Sequence, residues 1–578
     1  MLDKNNCFKQ NTLEKEKAIW GDVFLFAITL FLLLWGLGTR TLWSSEGRWA
    51  EIVREMFVQR DFFHPTIGGM PYFDKPLMTY WAIAALSAIT GRLDEFIIRL
   101  PSVVAAIIAI ICTVYLGKRL WSRKVGLLAG AFLLTSYGLL NYARMASAET
   151  ENLAAIMLAV TWYWIRRERP GFISFVIFYL IIFIGSQMKG LTAFVVPVLV
   201  ILPDILRNKR WKYLFWPSHL FALIIGIAVY LMPFIFATLS EPENYQQNGL
   251  ALVFQENIRR FIQPFDHQGP AYMYLYAIPL LILPWIPIFS GALITSIKNW
   301  KVLDEKTRWL IQAIVIIFIF FTLSGSRRDY YILPIIPFCM LLMAIFLAHY
   351  SDEIVEKHRK RGLWIQKQGL IIAGFLEAIF GPLVVWYLIN KKNWELPTIL
   401  GWSCLIIGTG VLLAGTLFSK VTKDIIQNEQ TKSVLTSIIM TIIMFGGLFV
   451  WQLNITGNLS GEQSFASQMK TIVESYSHER VAFYRKPDSK VLFYMKWNPP
   501  VKILYDENDL REFVNSDESG IVISQNRNIT GSASHILPEK YTYSDYCYSW
   551  ESDLKKLKAW EIYKDDEIQT VMETNNAN

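Results

Sequence analysis

The chain has 578 residues, of which 53% are hydrophobic and 15% aromatic, with a mean hydropathy of +0.31. Its apolar residues fall in blocks of about 20, which is the length that crosses the hydrocarbon core of a bilayer. A large soluble protein would place charged residues at helical spacing within such blocks, but stretches such as residues 24–38 have none. The composition therefore excludes a soluble enzyme and predicts a polytopic membrane protein.

The formal net charge of +8 comes from Lys and Arg in short clusters between the apolar blocks. This pattern is typical of cytoplasmic loops, so the charge indicates topology and not nucleic-acid binding. The five cysteines show no metal-ligand spacing, which excludes a disulfide framework and leaves no evident thiol nucleophile. The clusters lie at residues 118–124, 166–169, 207–212, 298–308 and 357–361.

The first 21 residues hold four lysines ahead of an apolar run, which predicts a cytoplasmic start followed by a signal anchor. Thirteen apolar stretches have spanning length, and the shorter stretch 77–91 is expected to be re-entrant or to lie at the surface. This count puts all five basic clusters on the side of the N-terminus. The predicted spans are 22–39, 98–117, 124–142, 151–166, 172–187, 190–206, 214–238, 271–297, 309–324, 330–349, 367–389, 396–418 and 433–453.

The loop 40–97 follows the first span and contains GRWAEIVREMFVQRD, whose apolar residues recur at helical spacing. This predicts an amphipathic helix at the membrane interface. Its charged residues are expected to be mainly the solvated face of that helix: Arg48, Glu51, Arg54 and Glu55. Glu46 precedes the helix, where a helix N-terminus can hold a carboxylate.

Other unusual polar residues near the membrane fall on the same, non-cytoplasmic side as this loop. They are Asp74 and Lys75, Arg144, Glu149 and Glu151, Lys189, His267, and the SGSRRD turn with Arg327 and Arg328. Each has an ordinary interpretation: a solvated turn, a lysine or arginine reaching lipid phosphates, or a structural histidine. Ionisable groups at membrane depth are costly and usually line a cavity, so their convergence predicts a site.

This set of residue types suits one kind of chemistry. Lys75, Lys189, Arg327 and Arg328 can stabilise a leaving phosphate, and a carboxylate from Glu46, Glu149 or Glu151 can take a proton from an attacking hydroxyl. Transfer of a sugar from a lipid phosphate needs both functions at the bilayer surface.

The tail, residues 454–578, is less apolar and predicts a small soluble α/β domain. Residues 490–496, 501–506 and 520–526 are predicted strands, 506–516 a helix, and 551–563 a final amphipathic element. The expected organisation is a cytoplasmic segment 1–21, a membrane domain 22–453 and a soluble domain 454–578.

Five motifs occur in an order that resembles the integral-membrane glycosyltransferases of the aminoarabinose transferase and protein O-mannosyltransferase superfamily. The resemblance covers roughly residues 20 to 350 and, more loosely, the tail. It is specific for the superfamily and much weaker for the sugar or the acceptor. The motifs are SEGRWAEIVREM (45–56), YFDKPLMTYW (72–81), RLPSVVAAI (99–107), QMKGLTAFVVP (187–197) and SRRDYYILPIIP (326–337).

The resemblance implies an all-α membrane fold of the GT-C type, with about 13 transmembrane helices, periplasmic interface helices and a C-terminal periplasmic domain. The superfamily's acidic pair falls on Ser45 and Glu46, but its first position, usually the catalytic Asp, is Ser45 here. Either Glu46 takes that role or the base comes from elsewhere. The second acid of the superfamily matches Glu149, with Glu151 as the alternative.

The resemblance also implies roles for the remaining motif residues. Lys75 is expected to contact the donor phosphate, as is Lys189 of the lysine-glycine turn. Asp74 can share a metal ion such as Zn²⁺ with His267, although two ligands would need water or substrate to complete the coordination. The superfamily's tyrosine before a Leu-Pro pair matches Tyr330 or Tyr331.

The expected function is sugar transfer from an undecaprenyl-phosphate-linked donor to lipid A or another envelope glycan or glycolipid, at the periplasmic face of a bacterial inner membrane. The chain is expected to act as a monomer without nucleic acid, and no cofactor beyond the metal ion is predicted. Two alternatives are a protein O-glycosyltransferase and a transporter or flippase of lipid-linked sugars. Transporters often carry inverted repeats, and the sequence has no evident one.

Overall fold

The structure is a computed structural model and is mostly α-helical. It describes residues 19–562 except 44, 243–244, 246–249, 252–268, 350–352, 393–398, 419–428, 460, 530–532, 538–542 and 545–556.

The helices of the N-terminal two thirds are α1 (Ile19–Leu34), α2 (Glu46–Gln59), α3 (Met78–Thr90), α4 (Glu95–Leu120), α5 (Arg123–Leu134), α6 (Tyr137–Ala143), α7 (Glu149–Arg166), α8 (Phe172–Lys189), α9 (Thr192–Arg207), α10 (Pro217–Leu239), α11 (Met273–Leu281), α12 (Ile286–Lys298), α13 (Glu305–Leu323), α14 (Ile336–Ala348) and α15 (Glu353–Lys392). Further along the chain are α16 (Ile399–Leu413), α17 (Glu429–Leu459), α18 (Gly461–Val473), α19 (Ser489–Met495), α20 (Glu507–Asn515) and α21 (Ala533–Ile536). Short 3₁₀ turns occupy Arg210–Phe215, Trp300–Val302, Asp329–Ile335, His478–Arg480 and Asn526–Asn528, and Ala414–Phe418 is a π-helix.

Six helices of the described part are long and apolar enough to cross a membrane, or up to eight if each of two bent pairs is one span. The bent pairs are α5 with α6, at 60°, and α11 with α12, at 119°. Both pairs fall where the sequence predicts one span, at residues 124–142 and 271–297, and the structure breaks the helix within each. Hydropathy averages over a bend, since it records composition and not direction.

The centre of the membrane part is formed by α4, α5, α7 and α14, which pack against one another. Residues 336–347 of α14 are all buried. The backbones of α4 and α5 come close at two glycines: a Cβ atom on Gly117 would lie 2.5 Å from the Cα atom of Gly126. Small residues allow such close approach of membrane helices, so this pair fixes the α4–α5 contact.

The loop 40–97 carries the predicted interface helix, α2, and a two-stranded antiparallel hairpin of β1 (Thr66–Ile67) and β2 (Met70–Pro71). Its turn uses two glycines with positive φ, as short hairpins favour. The prediction of a solvated charged face on α2 is wrong, because Glu51, Arg54 and Glu55 are buried. Glu55 accepts hydrogen bonds from the N–H groups of Gly68 and Gly69, at 2.6 and 3.1 Å. These acids therefore join α2 to the hairpin.

The tail contains a five-stranded sheet in the order β4-β3-β5-β7-β6, from β3 (Val481–Tyr484), β4 (Lys502–Leu504), β5 (Gly520–Gln525), β6 (Tyr543–Ser544) and β7 (Leu557–Ile562). β3 pairs in parallel with β4 and β5, whereas β7 pairs antiparallel with β5 and β6. The predicted strands at 501–506 and 520–526 and the helix at 506–516 are present as β4, β5 and α20. The final amphipathic element contains β7.

The prediction of a strand at 490–496 is wrong, because this segment forms helix α19. Asp488 caps the helix: its carboxylate accepts hydrogen bonds from the N–H groups of Lys490 and Val491, at 2.9 and 3.4 Å. An Asp ahead of an apolar run is a helix start signal, and it outweighs the strand propensity of the run. Strand β3 precedes this helix and is not among the predicted strands.

The tail packs directly on the loop that follows α1. The Leu42 N–H donates to the Tyr494 hydroxyl at 2.9 Å, and that hydroxyl donates to Glu95, also at 2.9 Å. The Val501 N–H donates to the carbonyl of Gly68 at 2.9 Å. The tail and α2 therefore lie at the same end of the helix bundle.

Candidate active site

A cluster of charged and aromatic side chains forms where the ends of α7 and α8 meet two loops. Glu149 begins α7, Lys189 ends α8, and Lys75 stands in the loop before α3. Arg328 directly precedes the 3₁₀ turn at Asp329–Ile335. The charges of Lys75, Lys189 and Arg328 all act on Glu149, so four residues that are distant in sequence converge.

The centre of the cluster is an ion pair between Lys189 Nζ and Glu149 Oε2. Both side chains are largely buried, with 16% and 6% of their surface exposed. The ammonium group also lies 4.7 Å from the ring centroid of Tyr331, in a cation–π contact. A buried carboxylate and a buried cation are thus held beside one another at the end of the bundle.

The backbone around Glu149 has an unusual conformation. Ala148, at the N-cap of α7, has φ +58° and ψ 0°, the left-handed region that non-glycine residues seldom occupy. Such strain persists only where surrounding contacts hold it, and it is common at functional sites. Because Glu149 lies in the first turn of α7, the helix dipole also favours its negative charge.

Arg328 lies in an aromatic surround. Its Nη1 donates to the Tyr330 hydroxyl at 2.9 Å, and the guanidinium is 5.7 Å from the Tyr330 ring centroid. The Tyr330 ring contacts Tyr142 at 5.4 Å and Tyr331 at 5.2 Å between centroids. These rings limit water access to the cations, which strengthens their interaction with a bound anion.

Asp74 and Lys75 enter the cluster from the loop ahead of α3. Lys75 Nζ donates to the Asp74 carbonyl at 2.9 Å and lies 3.8 Å from Asp74 Oδ2. The same oxygen is 3.5 Å from Arg48 Nη1, which also donates to the Tyr72 hydroxyl at 2.6 Å. Asp74 is therefore surrounded by cations.

Arg48 belongs to this cluster, although the helical pattern predicts it in the solvated face of α2. Its side chain is 43% exposed, but it contacts both Asp74 and Tyr72. The sequence did offer evidence for this place: Arg48 lies in the first turn of α2, two residues after Glu46 of the motif at 45–56. Helical periodicity alone could not distinguish it from a solvated arginine.

Glu46 is buried and fully engaged in a network beside the cluster. Arg99 holds both carboxylate oxygens, with N–O distances of 2.8 and 2.9 Å, and Arg40 Nη2 lies 3.1 Å from Oε2. The N–H groups of Trp43 and Ala146 also donate to it, at 2.8 and 3.1 Å. Burial raises the pKa of Glu46, but the two arginines outweigh this effect and hold it below its ordinary value.

The Glu46 network fixes the loop that leads to Glu149. Arg40 donates to the Arg144 carbonyl at 3.4 Å, and Arg144 in turn donates to the carbonyls of Leu32 and Trp35, both at 2.8 Å. Together with the bond from Ala146, these contacts tie the loop to the end of α1. The network thus positions the residues that precede α7.

Two other residues predicted near the site, Ser45 and Glu151, differ in their surroundings. Ser45, at the N-cap of α2, is partly exposed and makes no side-chain capping hydrogen bond. Glu151 is buried; its Oε1 accepts a hydrogen bond from Ser102 at 2.9 Å, while Oε2 has no hydrogen-bond partner among the described residues. Residues two apart on a helix point about 200° apart, so only Glu149 pairs with Lys189.

Arg327 is used differently from its neighbour Arg328. Its Nε donates to the Thr322 carbonyl at 3.1 Å and its Nη1 to the Gly269 carbonyl at 2.9 Å. These bonds satisfy carbonyls at the end of α13 and in the segment before α11. The structure thus gives Arg327 backbone partners, and its contact with a donor phosphate stays a prediction.

The predicted metal pair is only half described, since His267 lies outside the described residues. Among the residues that the structure describes, no group of three or more His, Cys, Asp or Glu side chains could hold a metal ion. Asp74 has Arg48 and Lys75 as neighbours, and these cations would compete with a divalent ion. The surroundings of Asp74 therefore do not fit a metal site, and the pairing with His267 stays a prediction.

Comparison with known proteins identifies the family. The chain is 30% identical over 404 residues to the undecaprenyl phosphate-alpha-4-amino-4-deoxy-L-arabinose arabinosyl transferase of Pseudomonas aeruginosa (strain UCBPP-PA14), an alignment covering 67% of this chain and 69% of the relative. The chain belongs to the aminoarabinose transferase family. The corresponding transferase of Enterobacter sp. (strain 638) is 31% identical over 386 residues, and the alignment spans 64% of that relative's length.

Two further comparisons extend this result. Residues 74–236 match the family model described as dolichyl-phosphate-mannose-protein mannosyltransferase. The fold is similar to that of ArnT from Cupriavidus metallidurans bound to undecaprenyl phosphate, with a TM-score of 0.71. That match covers 94% of this chain and 98% of the other at 16% identity, so it shows a shared fold.

Proposed function

We propose that this protein transfers a sugar from an undecaprenyl-phosphate-linked donor to a hydroxyl or phosphate group of lipid A, or of another envelope glycan or glycolipid. The transfer takes place at the periplasmic face of a bacterial inner membrane. The observation that carries the proposal is the buried Glu149–Lys189 pair flanked by Lys75 and Arg328. The names of the relatives, which specify an undecaprenyl phosphate sugar donor, support the same donor class.

The cluster can perform the two parts of this reaction. The acceptor oxygen attacks the anomeric carbon of the sugar, the bond from that carbon to the phosphate oxygen breaks, and undecaprenyl phosphate leaves. Lys75, Lys189 and Arg328 stabilise the negative charge that develops on the leaving phosphate. Glu149 takes the proton of the acceptor hydroxyl. Tyr330 and Tyr331 orient these groups and exclude water.

The donor phosphate and Glu149 compete for the same lysine. In the structure Lys189 neutralises Glu149, which weakens the carboxylate as a base. A phosphate bound to Lys189 would take over that cation and leave the carboxylate more basic. Glu149 is therefore a stronger base when the donor is in place than in the resting site.

Glu46 has a structural part in this proposal. Both of its oxygens are held by Arg40, Arg99 and backbone N–H groups, so it cannot reach a substrate without breaking the network. With Ser45 at the position of the usual acid, Glu149 becomes the base. Glu151 is the alternative, since its Oε2 is without a partner in the described part of the chain.

The topology belongs to the same proposal. Residues 1–21 are cytoplasmic, 22–453 form the membrane domain with thirteen spans, and 454–578 form a periplasmic α/β domain of a monomer. The basic clusters support this arrangement. So do the contacts of Tyr494 with Leu42 and Glu95, since they put the tail at the end of the bundle where Glu149 lies.

Sugar transfer by the purified protein in detergent, from a labelled undecaprenyl-phosphate sugar to lipid A, tests the proposal. No gradient exists in detergent, so product formation separates a transferase from a transporter. Lys75→Ala is expected to lower the rate about 100-fold or more, since it removes a donor-phosphate cation. Lys298→Ala, an exposed lysine at the other end of the bundle, is the control. An unchanged rate in Lys75→Ala would contradict the assignment.

A further inference from the structure

A cavity of about 370 Å³ lies at the opposite end of α7 from Glu149. It is lined by residues at the ends of α4, α7, α9 and α13. Trp164 in its wall comes 15 residues after Glu149 on α7, which is about 22 Å along the helix axis. The cavity is therefore separate from the candidate active site.

Three tryptophans line this cavity, and one has an unsatisfied donor. The indole N–H of Trp121 donates to Thr307 at 3.0 Å and that of Trp309 to the Val200 carbonyl at 2.9 Å. Trp164 is 5% exposed, yet its Nε1 has no hydrogen-bond partner among the described residues. The three rings give the cavity the aromatic wall that is typical of the level of lipid head groups.

The cavity also carries charges of both signs. Lys306 Nζ donates to the Leu120 carbonyl at 2.8 Å, and an ammonium group has three N–H groups in all. Arg167 lies over the Trp164 ring, 4.1 Å from its centroid. Three acids line the same space: Asp204, which pairs with Arg167 at 2.7 Å, and Asp304 and Glu305, whose side chains are 38% and 53% exposed. His349, also in the lining, lies 3.9 Å from Asp304. A ligand with one positive and one negative group matches this mixed lining better than a simple anion does.

An apolar groove of about 480 Å³ adjoins the cavity on the same two helices. On α9, Pro203 of the groove directly precedes Asp204 of the cavity. On α13, Ile316 of the groove follows Trp309 of the cavity by seven residues, or about 10 Å along the axis. The groove thus extends from the cavity toward the middle of the bilayer.

Arg207 joins the two spaces. Its Nη2 donates to Gln312 of the groove at 3.0 Å, and its Nη1 lies 3.6 Å from Glu305 of the cavity. Tryptophan and arginine are typical of the level where lipid head groups meet the hydrocarbon core. A polar cavity at that level, followed by an apolar groove, has the shape of a phospholipid.

We propose that the cavity and groove bind a zwitterionic phospholipid of the phosphoethanolamine type, from the leaflet on the side of the basic loops. The phosphate accepts hydrogen bonds from Lys306, the ammonium group lies near Asp304 and Glu305, and one acyl chain occupies the groove. Basic pockets between membrane helices select anionic lipids; the acids of this cavity select against them. The site does not depend on the proposed sugar transfer.

Native mass spectrometry of the full-length protein in detergent tests this site with added phosphatidylethanolamine, phosphatidylglycerol of the same chains, and soluble phosphoethanolamine. The wild type is expected to retain phosphatidylethanolamine about 10-fold better than either other ligand. Lys306→Gln lowers that retention several-fold. Lys301→Gln, an exposed lysine outside the cavity, leaves it unchanged.

Val315→Trp, which fills the groove and leaves the polar cavity intact, provides a second test, with the unfolding temperature of each variant as the folding control. It is expected to lower lipid retention as well. Equal retention of phosphatidylglycerol, or unchanged retention in both Lys306→Gln and Val315→Trp, would overturn the proposal. Soluble phosphoethanolamine bound as tightly as the lipid would overturn the lipid assignment.

Discussion

At the scale of single residues, the ion pair of Glu149 with Lys189 decides how the candidate site behaves before any substrate binds. Taking one partner away from a buried pair leaves an uncompensated charge, which costs far more than the pair itself contributes. The effect of this pair on the stability of the fold can therefore be measured separately from activity.

Lys189→Met is expected to destabilise the protein by about 3–5 kcal/mol, because Glu149 is left buried and unpaired. Adding Glu149→Gln removes the charge and should restore most of the unfolding temperature. The measurement is thermal unfolding followed by tryptophan fluorescence in detergent.

A matched control is the pair of Lys118 with Asp22, at 2.5 Å, whose side chains are 30% and 37% exposed. Lys118→Met is expected to cost at most about 1 kcal/mol, as for exposed pairs. Equal losses in Lys189→Met and Lys118→Met, or no recovery in the double variant, would mean that Glu149 is not charged in the resting site.

At the scale of elements, α2 is held between the membrane helices and the tail. The carboxylate of Glu51 is bound by Arg54 at 2.8 Å, and Arg54 donates to the Trp497 carbonyl at 2.5 Å. Glu55 of the same helix binds the turn of the hairpin. The charged residues of α2 are thus the means by which the tail and the hairpin are attached.

The stability of the folded state should fall as the pH rises, because Glu51 is ionised while buried. Burial raises the pKa of Glu51 to about 8, against the opposing effect of Arg54, from an ordinary value of 4.5. A carboxyl whose pKa is raised on folding favours the folded state below pH 4.5, and the benefit is lost progressively up to pH 8. Glu51→Gln should flatten the fall in unfolding temperature between pH 5 and 8. The same slope in wild type and Glu51→Gln would show that another group titrates.

Gly47 allows α19 of the tail to approach α2. A Cβ atom on Gly47 would lie 2.3 Å from Lys490 Cγ and 3.2 Å from Lys490 N. Gly47→Ala is therefore expected to destabilise the protein by about 1–3 kcal/mol, despite the gain in helix propensity. Gly369→Ala, in α15 with no atom within 4 Å of the new methyl group, is the control and should be neutral or stabilising. Equal unfolding temperatures of the two variants would contradict a close α2–α19 contact.

At the scale of the whole molecule, the sequence predicts which end of the bundle carries the site. Threading the basic clusters to one side leaves Lys75, Glu149, Lys189 and Arg328 on the other, and the structure brings these four together. Charged residues at membrane depth are energetically costly, so they are placed there mainly for function. Their positions along the sequence therefore indicate which end of the bundle carries the site, even where contacts between side chains are unknown.

Other features depend on tertiary contacts that a pattern cannot report. Helical periodicity cannot show that the charged face of α2 is covered by the tail, so Arg54 was expected in solvent. Neighbouring arginines cannot be told apart by sequence either: Arg328 faces Tyr330, whereas Arg327 binds backbone carbonyls. Asp488 is a recognisable helix-capping residue, but the strand propensity of the residues after it favours the incorrect prediction of a strand at 490–496.

The proposed mechanism requires that Glu149, and not Glu46 or Glu151, takes the proton of the acceptor. The decisive measurement is single-turnover sugar transfer by Glu149→Gln and Glu151→Gln, side by side at saturating donor. We expect a loss of about 100-fold or more in Glu149→Gln, as for removal of a general base, and of less than about 10-fold in Glu151→Gln. A larger loss in Glu151→Gln, or a Glu149→Gln rate close to wild type, would contradict it.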